Sequence, residues 1–191
     1  MSLCLSMKAV IPRITGLPTF KYEDMEEIGV IGHGSFGVVL KVKHLAPVRD
    51  GETDTVVIKK LSDSEEIDDQ KEFVKEARML FTIQHNSIVS FKAFCQRPYA
   101  IMLEYVHFDF SVFSNCDKKV HSLQEFLAFV DTQQVLENFN ECGIITRIAK
   151  DVASGLCYLH RNGIVHRDLK TSNVLVSNQH YSNITSKEPS L

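Results

Sequence analysis

The chain has 191 residues, of which 44% are hydrophobic and 24% charged, the composition of an ordinary soluble protein with enough apolar material for one domain or two small ones. A formal net charge of -3 and a pI near 6.2 exclude any global attraction to nucleic acid or anionic membrane, so partners have to be sought at local sites. The five cysteines, Cys4, Cys95, Cys116, Cys142 and Cys157, are odd in number and form no C-x-x-C pair, which disfavours a disulfide framework or a zinc knuckle and fits a reducing, cytoplasmic setting.

Residues 1–21 carry Pro12, Gly16 and Pro18 without periodicity and are expected to form a flexible lead-in, with order beginning near Tyr22. The stretch Met1 to Ile14 is broken by Lys8, Pro12 and Arg13 and does not suit a secretory signal, and no apolar run reaches the length of a membrane span. The Asn183-Ile184-Thr185 sequon is accordingly read as chance. Ile28-Gly29-Val30-Ile31 runs into Gly32-His33-Gly34-Ser35-Phe36-Gly37, and Val38-Val39-Leu40-Lys41-Val42 then alternates like a strand, which predicts a glycine-linked hairpin. Glycines at 32, 34 and 37 let backbone N–H groups approach phosphate oxygens with no side chain in the way. Alone, G-x-G-x-x-G is equally an ordinary turn; a dinucleotide-binding fold is disfavoured because a strand rather than a helix follows the last glycine.

A polar connector, His44 to Thr55, leads to a third predicted strand, Thr55-Val56-Val57-Ile58-Lys59, whose terminal lysine would ordinarily be solvated. After the acidic segment Ser64 to Asp69, in which Asp69 and Glu72 fit a capping pattern, a helix places Phe73, Glu76, Ala77 and Leu80 on one face. An unpaired buried carboxylate costs on the order of several kcal/mol, so Glu76 needs either a place at the rim or a cation to meet it. His85 has no second ligand at useful spacing and reads as structural. Ile88 to Cys95 and Tyr99 to Leu103 form two further strands around Arg97-Pro98. In the segment Phe108 to His121, the aromatics Phe108, Phe110 and Phe113 are read as local core in preference to a docking patch. Ser122-Leu123-Gln124-Glu125 opens a helix with a capping box and an apolar face of Leu123, Phe126, Leu127 and Val130. Beyond a polar link through Asn140, a longer helix aligns Ile145, Ile148, Val152, Leu156 and Leu159 and stops at Arg161-Asn162-Gly163.

The loop His166-Arg167-Asp168-Leu169-Lys170-Thr171-Ser172-Asn173 gathers an acid, a base, a cation and an amide. Asp168 can take or orient the proton of an attacking hydroxyl, Lys170 can neutralise a phosphoryl group in transfer, and Asn173 can offer an amide oxygen to a metal ion. Val174-Leu175-Val176 follows as a short strand, and the polar residues 177–191 carry no periodicity.

The run His-Arg-Asp-Leu-Lys-x-x-Asn resembles the catalytic loop of protein kinases, and the preceding motifs stand in that family's order from about residue 22 to 176. The resemblance implies an α+β kinase-like fold, with a small lobe and hinge at 22–106, a partial large lobe at 107–176 and a polar tail at 177–191. It implies ATP with Mg2+ as cofactors and a protein substrate. Ile31, Gly32, Gly34, Ser35, Phe36 and Gly37 would form the phosphate loop; Val39, Val57, Leu103 and Leu175 would enclose adenine, and the backbone of Glu104 and Val106 would hydrogen-bond it. Lys59 would meet the phosphates and pair with Glu76, Asp168 and Lys170 would serve catalysis, and Asn173 would hold metal. Val57 stands where the family motif has Ala, which adds two methyl groups beside adenine. Lys170 and the Ser122 helix look closest to the tyrosine-kinase-like group of serine/threonine kinases. No Asp-Phe-Gly follows Val176, so the expectation is a domain truncated before that motif and inactive alone. The alternatives are a non-catalytic regulatory module and tyrosine specificity in a complete form; a small-molecule phosphotransferase is disfavoured by Arg167 and Lys170.

Overall fold

The computed structural model of the chain describes residues 6–7, 16–34, 37–45, 54–62, 67–112, 116–132 and 143–178. The chain divides into two compact units, residues 1–105 and 106–191. Among the described residues no helix is long and apolar enough to cross a membrane.

The first unit is built on a five-stranded antiparallel sheet. Its strands are β1 (Met25–Gly34), β2 (Gly37–His44), β3 (Thr55–Leu61), β4 (Phe91–Gln96) and β5 (Tyr99–Glu104), in the spatial order β1-β2-β3-β5-β4. The predicted hairpin is the β1–β2 pair, whose ladder closes at Gly34 opposite Gly37. Alternation along the strands gives the sheet two apolar faces. Val39, Val57, Leu61, Ile101 and Leu103 pack with Phe73, Ala77 and Leu80 of helix α1 (Ile67–Thr82) on one face. Leu40, Val42, Val56, Ile58, Ala100 and Met102 lie on the other, against Phe20, Tyr22 and Met25.

Helix α1 starts at Ile67, so Asp69 lies in the first turn and is not the cap that its spacing with Glu72 suggested. Asp68 and Asp69 there meet the positive end of the helix dipole. His85 is structural as expected, its Nδ1 accepting the Ser87 N–H at 3.1 Å. That turn delays the fourth strand to Phe91, three residues later than the apolar pattern suggested.

The lead-in is not loose throughout. Thr19 bridges Phe94 in parallel on the outer edge of β4, Phe94 N–H donates to Pro18 O at 2.8 Å, and Phe20 N–H donates to Phe94 O at 3.3 Å. Leu17 packs on the α1 face and Phe20 on the opposite one, so four residues straddle the sheet edge. Covering that edge satisfies backbone groups that would otherwise face solvent or another chain.

In the second unit a short hairpin, β6 (Phe108–Asp109) with β7 (Lys119–Val120), precedes helix α2 (Leu123–Thr132). Phe108 and Phe110 are fully buried with Phe126 in a cluster completed by Val120, Val130, Ile144, Ile148 and Val176, which makes them core. Phe113, Ser35, Phe36, the link through Asn140 and the tail beyond 178 lie outside the described residues. The Ser122 half of the capping box is formed, Glu125 N–H donating to Ser122 Oγ at 3.2 Å, whereas the Glu125 carboxylate accepts the N–H of His121, one residue before the cap, at 2.8 Å. Leu127 is exposed, outside the apolar face that the sequence assigned to it. Helix α3 (Ile144–Arg161) buries Ile144, Ile148, Gly155 and Leu159, and Gly163 stops it at φ +72°, a left-handed conformation that costs glycine nothing.

Asp109 fastens the hairpin. Its carboxylate accepts from Ser111 N–H at 2.9 Å and Ser111 Oγ at 2.6 Å and pairs with Lys119 at 3.1 Å, while Asn178 donates to its carbonyl and accepts from its N–H.

Two predictions follow from these contacts. Removing residues 1–20 is expected to accelerate amide exchange at Phe94 and to lower stability by roughly 2 kcal/mol through lost burial of Leu17 and Phe20; unchanged exchange at Phe94 would show that the edge contact contributes nothing. The Ser111 hydrogen bonds, with Lys119, hold the Asp109 pKa at about 2, down from its ordinary 3.8. A depressed folded-state pKa stabilises above the unfolded value and loses that contribution as pH falls through the folded one. Asp109→Asn should therefore flatten the pH dependence of stability between about 4 and 2, as read by acid titration of circular dichroism.

Candidate active site

Lys59 sits on β3 opposite Val39 of β2 and Ile101 of β5, which fixes its side chain on the α1 face. It is 6% exposed, in a layer whose buried members are otherwise Val, Leu, Ile, Phe and Ala. Glu76 comes from α1, one helical turn beyond Phe73, and meets it: Nζ lies 2.7 Å from Oε1 and 2.6 Å from Oε2. The Phe73 ring stands 5.6 Å from the same ammonium. Of the two possibilities open for Glu76, the structure contains the cation. Both side chains are close to nine-tenths buried, at 8% and 11% exposure, so neither has water as a substitute partner.

Val39, Val57 and Leu103 share this face with Lys59, and Val57 is directly opposite Leu103 in the ladder. The motif departure at Val57 therefore adds bulk at a position already closed by Leu103. Ile31 falls at a register shift between Val30 and Gly32 and is 40% exposed. Among the described residues a Cβ on Gly32 would meet only Val39 Cβ at 3.9 Å, whereas one on Gly37 would lie 2.0 Å from Lys60 O. Gly37, at φ +156°, is thus demanded by its packing on β3, whereas at Gly32 the described residues would give a Cβ ordinary van der Waals contact. Gly34 pairs with Gly37 at the hairpin end.

Two ties that the sequence did not disclose steady the last residue of β5 and the one after it. Glu104 N–H donates to Ser90 O at 3.0 Å, and Glu104 Oε1 accepts the Ser90 N–H at 2.7 Å. Lys41 Nζ donates to Tyr105 Oη at 3.0 Å. In the second unit, His121 Nδ1 lies 3.1 Å from Val106 O, and Ser122 bridges Leu175. No pattern marks Ser90 or His121, because each contact depends on a turn that brings distant backbone to it.

The loop from His166 is compact. Asp168 N–H donates to His166 O at 2.8 Å across Arg167, which adopts φ +60°. A non-glycine residue held there costs about 1–3 kcal/mol, a strain found where a side chain must be aimed. The Asp168 carboxylate receives Lys170 Nζ at 3.1 Å and Asn173 Nδ2 at 2.8 Å, and Asn173 Nδ2 also donates to Asp168 O at 2.8 Å. The Lys170 and Asn173 hydrogen bonds hold the Asp168 pKa below the ordinary carboxylate value, so the group is anionic at neutral pH. Such a weak base suits orienting a hydroxyl and taking its proton late, as the oxygen's own acidity rises. Burial, opposed by Asp168, keeps the His166 imidazole below its usual pKa, and its Nδ1 is buried without a partner among the described residues.

Among the described residues no three His, Cys, Asp or Glu side chains are grouped to hold a metal. The Asn173 amide nitrogen is committed to Asp168, which leaves Oδ1 as the oxygen it can offer. A hard cation that keeps several waters and binds phosphate oxygens needs only one or two protein oxygens, so this donor fits one Mg2+ ligand.

The pair yields a thermodynamic prediction. Lys59→Met or Glu76→Leu alone should each destabilise the first unit by about 3 kcal/mol, because each leaves a buried charge without its counter-ion, while the double variant should cost much less. Denaturant unfolding of the three variants measures the coupling, and additive effects would mean that the charges do not interact.

Over residues 25–187 the sequence matches the family model described as protein tyrosine and serine/threonine kinase. It is 32% identical over 154 residues to cyclin-dependent kinase-like 5 of Mus musculus, covering 80% of this chain and 14% of that protein. It is 30% identical over 168 residues to RasGEF domain-containing serine/threonine-protein kinase X of Dictyostelium discoideum, covering 84% of this chain and 15% of that one. It is also 29% identical over 160 residues to tyrosine-protein kinase SPK-1 of Girardia tigrina, covering 82% of this chain and 27% of that protein. The chain therefore spans less than a third of the length of each of these relatives.

Proposed function

This chain belongs to the protein tyrosine and serine/threonine kinase family, and on that premise we propose that it binds ATP and carries the apparatus for transferring the γ-phosphoryl group to a protein serine or threonine. The observation that supports this most strongly is the Lys59–Glu76 pair, since an ammonium held at 2.6 Å by a buried carboxylate is prevented from wandering and can be shared with phosphate oxygens. Gly32, Gly34, Ser35, Phe36 and Gly37 would cover the phosphates, with Ile31 at the loop's start. Val39, Val57, Leu103 and Leu175 would contact adenine, and Glu104 and Val106 would present backbone groups to it.

In the transfer step the acceptor hydroxyl, oriented by Asp168, forms the new O–P bond as the bond between the γ-phosphorus and the β–γ bridging oxygen breaks. ADP leaves with the electron pair, and the hydroxyl proton passes to the Asp168 carboxylate and on to solvent. Lys170, more than half exposed and held to Asp168 only at 3.1 Å, is loose enough to turn to the phosphoryl oxygens. Mg2+, held in part by Asn173, would screen the phosphate charge. Serine/threonine preference and a place near the tyrosine-kinase-like group rest on Lys170 and the Ser122 helix. Unbridged Cys95, Cys116 and Cys157 suit a reducing compartment such as the cytoplasm.

A second reading rests on the metal ligands. These 191 residues hold Asn173 but no Asp-Phe-Gly after Val176, and metal-assisted phosphoryl transfer ordinarily uses both. The 191-residue polypeptide is therefore expected to bind nucleotide without appreciable turnover, as a regulatory module would, and a polypeptide carrying the second carboxylate and an activation segment is expected to transfer phosphate. In the latter, Asp168→Asn should lower the rate by on the order of 100-fold or more while sparing ATP affinity. Radiolabelled transfer to a mixed peptide library, with the acceptor residue identified, is the measurement. Asp168-dependent turnover by the 191 residues alone would overturn the inactivity expected of them, and labelling mainly on tyrosine would overturn the preference drawn from Lys170.

A further inference from the structure

His121 makes three directed contacts with three separated segments of the second unit. Its Nδ1 is 3.1 Å from Val106 O, its N–H donates to Glu125 Oε2 at 2.8 Å, and its carbonyl accepts the Val176 N–H at 3.0 Å. The next two residues extend the same seam, because Ser122 bridges Leu175 and Leu123 N–H donates to Val174 O at 2.8 Å. A carbonyl oxygen can only accept, so the 3.1 Å contact requires a proton on Nδ1. Helix α2 starts at once after this seam and buries Phe126 and Val130, which anchors His121 from behind. Val106 and Leu175 are the two positions of the second unit assigned above to adenine; His121 bonds Val106 on one side and Val176, the neighbour of Leu175, on the other, while Ser122 bridges Leu175 itself.

We propose that His121 is a positioning residue for the nucleotide base: its Nδ1–H clamps the Val106 carbonyl and so holds the Val106 backbone in fixed relation to Leu175. The role deepens the ATP-binding reading and rests on it. A clamp of this kind lowers the ordering cost of binding and acts on the base alone, leaving the phosphates to Lys59. It also leaves the Val106 N–H, rather than its carbonyl, as the backbone group presented to a ligand.

The test uses the 191-residue chain, with adenosine and inorganic tripolyphosphate as separate probes in titration calorimetry. His121→Leu is expected to weaken adenosine binding about tenfold, the worth of one hydrogen bond, and to leave tripolyphosphate binding unchanged. His121→Asn places an amide nitrogen near the Nδ1 position and should restore adenosine affinity, whereas His121→Gln places it near Nε2 and should not. Thermal melts report whether each variant folds; if His121→Leu does not, the contrast between Asn and Gln carries the test. Equal adenosine binding by wild type and His121→Leu, or equal rescue by Asn and Gln, overturns the positioning role while leaving the ATP reading intact. Failure of the wild type to bind adenosine overturns both together.

Discussion

A lysine ammonium and a glutamate carboxylate, both placed in an apolar layer, impose the main constraint on the first unit. Lys59 reaches that layer because β3 is paired on both sides, which leaves its side chain one direction to take. Glu76 reaches it because the spacing from Phe73 and Ala77 puts it on the same face of α1. Each residue is costly there without the other's charge, so strand register and helix phase are coupled through one contact of 2.6 Å. Desolvation offsets much of the attraction in such a pair. Its value therefore lies less in net stability than in allowing one arrangement of helix on sheet.

The second unit handles the same two chemical groups in the opposite way. Lys170 and Asp168 are 3.1 Å apart with 57% and 33% exposure, a pair that water and salt can loosen. Rigidity in that loop comes instead from backbone and amide contacts: the turn across Arg167 and the two bonds from Asn173. A fixed carboxylate beside a movable cation suits a reaction in which the hydroxyl must be held still while charge migrates across the phosphoryl group. Lys59 and Lys170 thus differ in burial and not in kind, and the difference matches the separate tasks proposed for them.

Much of this was legible in the sequence because it rests on local rules. Alternation disclosed β2, a β-branched run disclosed β3, the i, i+3, i+4 pattern disclosed the face of α1 that carries Glu76, and Ser122 with Glu125 disclosed a cap whose Ser122 bond forms as spaced. What escaped was non-local. Residues 17–20 have no period of two or of 3.6, and their order comes from the open edge of β4, which exists only once the sheet is built. Leu127 obeys the helical spacing yet finds no layer above it. His121 precedes a cap, a position at which sequence carries no preference for imidazole.

The glycine-rich hairpin shows how one motif can answer to two demands. Gly37 cannot accept a side chain, because β3 backbone lies where its Cβ would be, so its identity is explained by the sheet whether or not phosphate ever approaches. Gly32 meets no such obstacle, and nothing in the packing of the described residues requires it to be glycine. Among the glycines of the motif whose surroundings are described, Gly32 is therefore the one whose identity packing does not account for, and a bare backbone there has a cost in conformational entropy. An absent side chain with no structural reason for its absence is the kind of vacancy that close approach of a ligand would explain. Gly32 lies opposite Val39, which itself pairs with Lys59, so the unexplained glycine stands in the same row across the sheet as the buried ammonium.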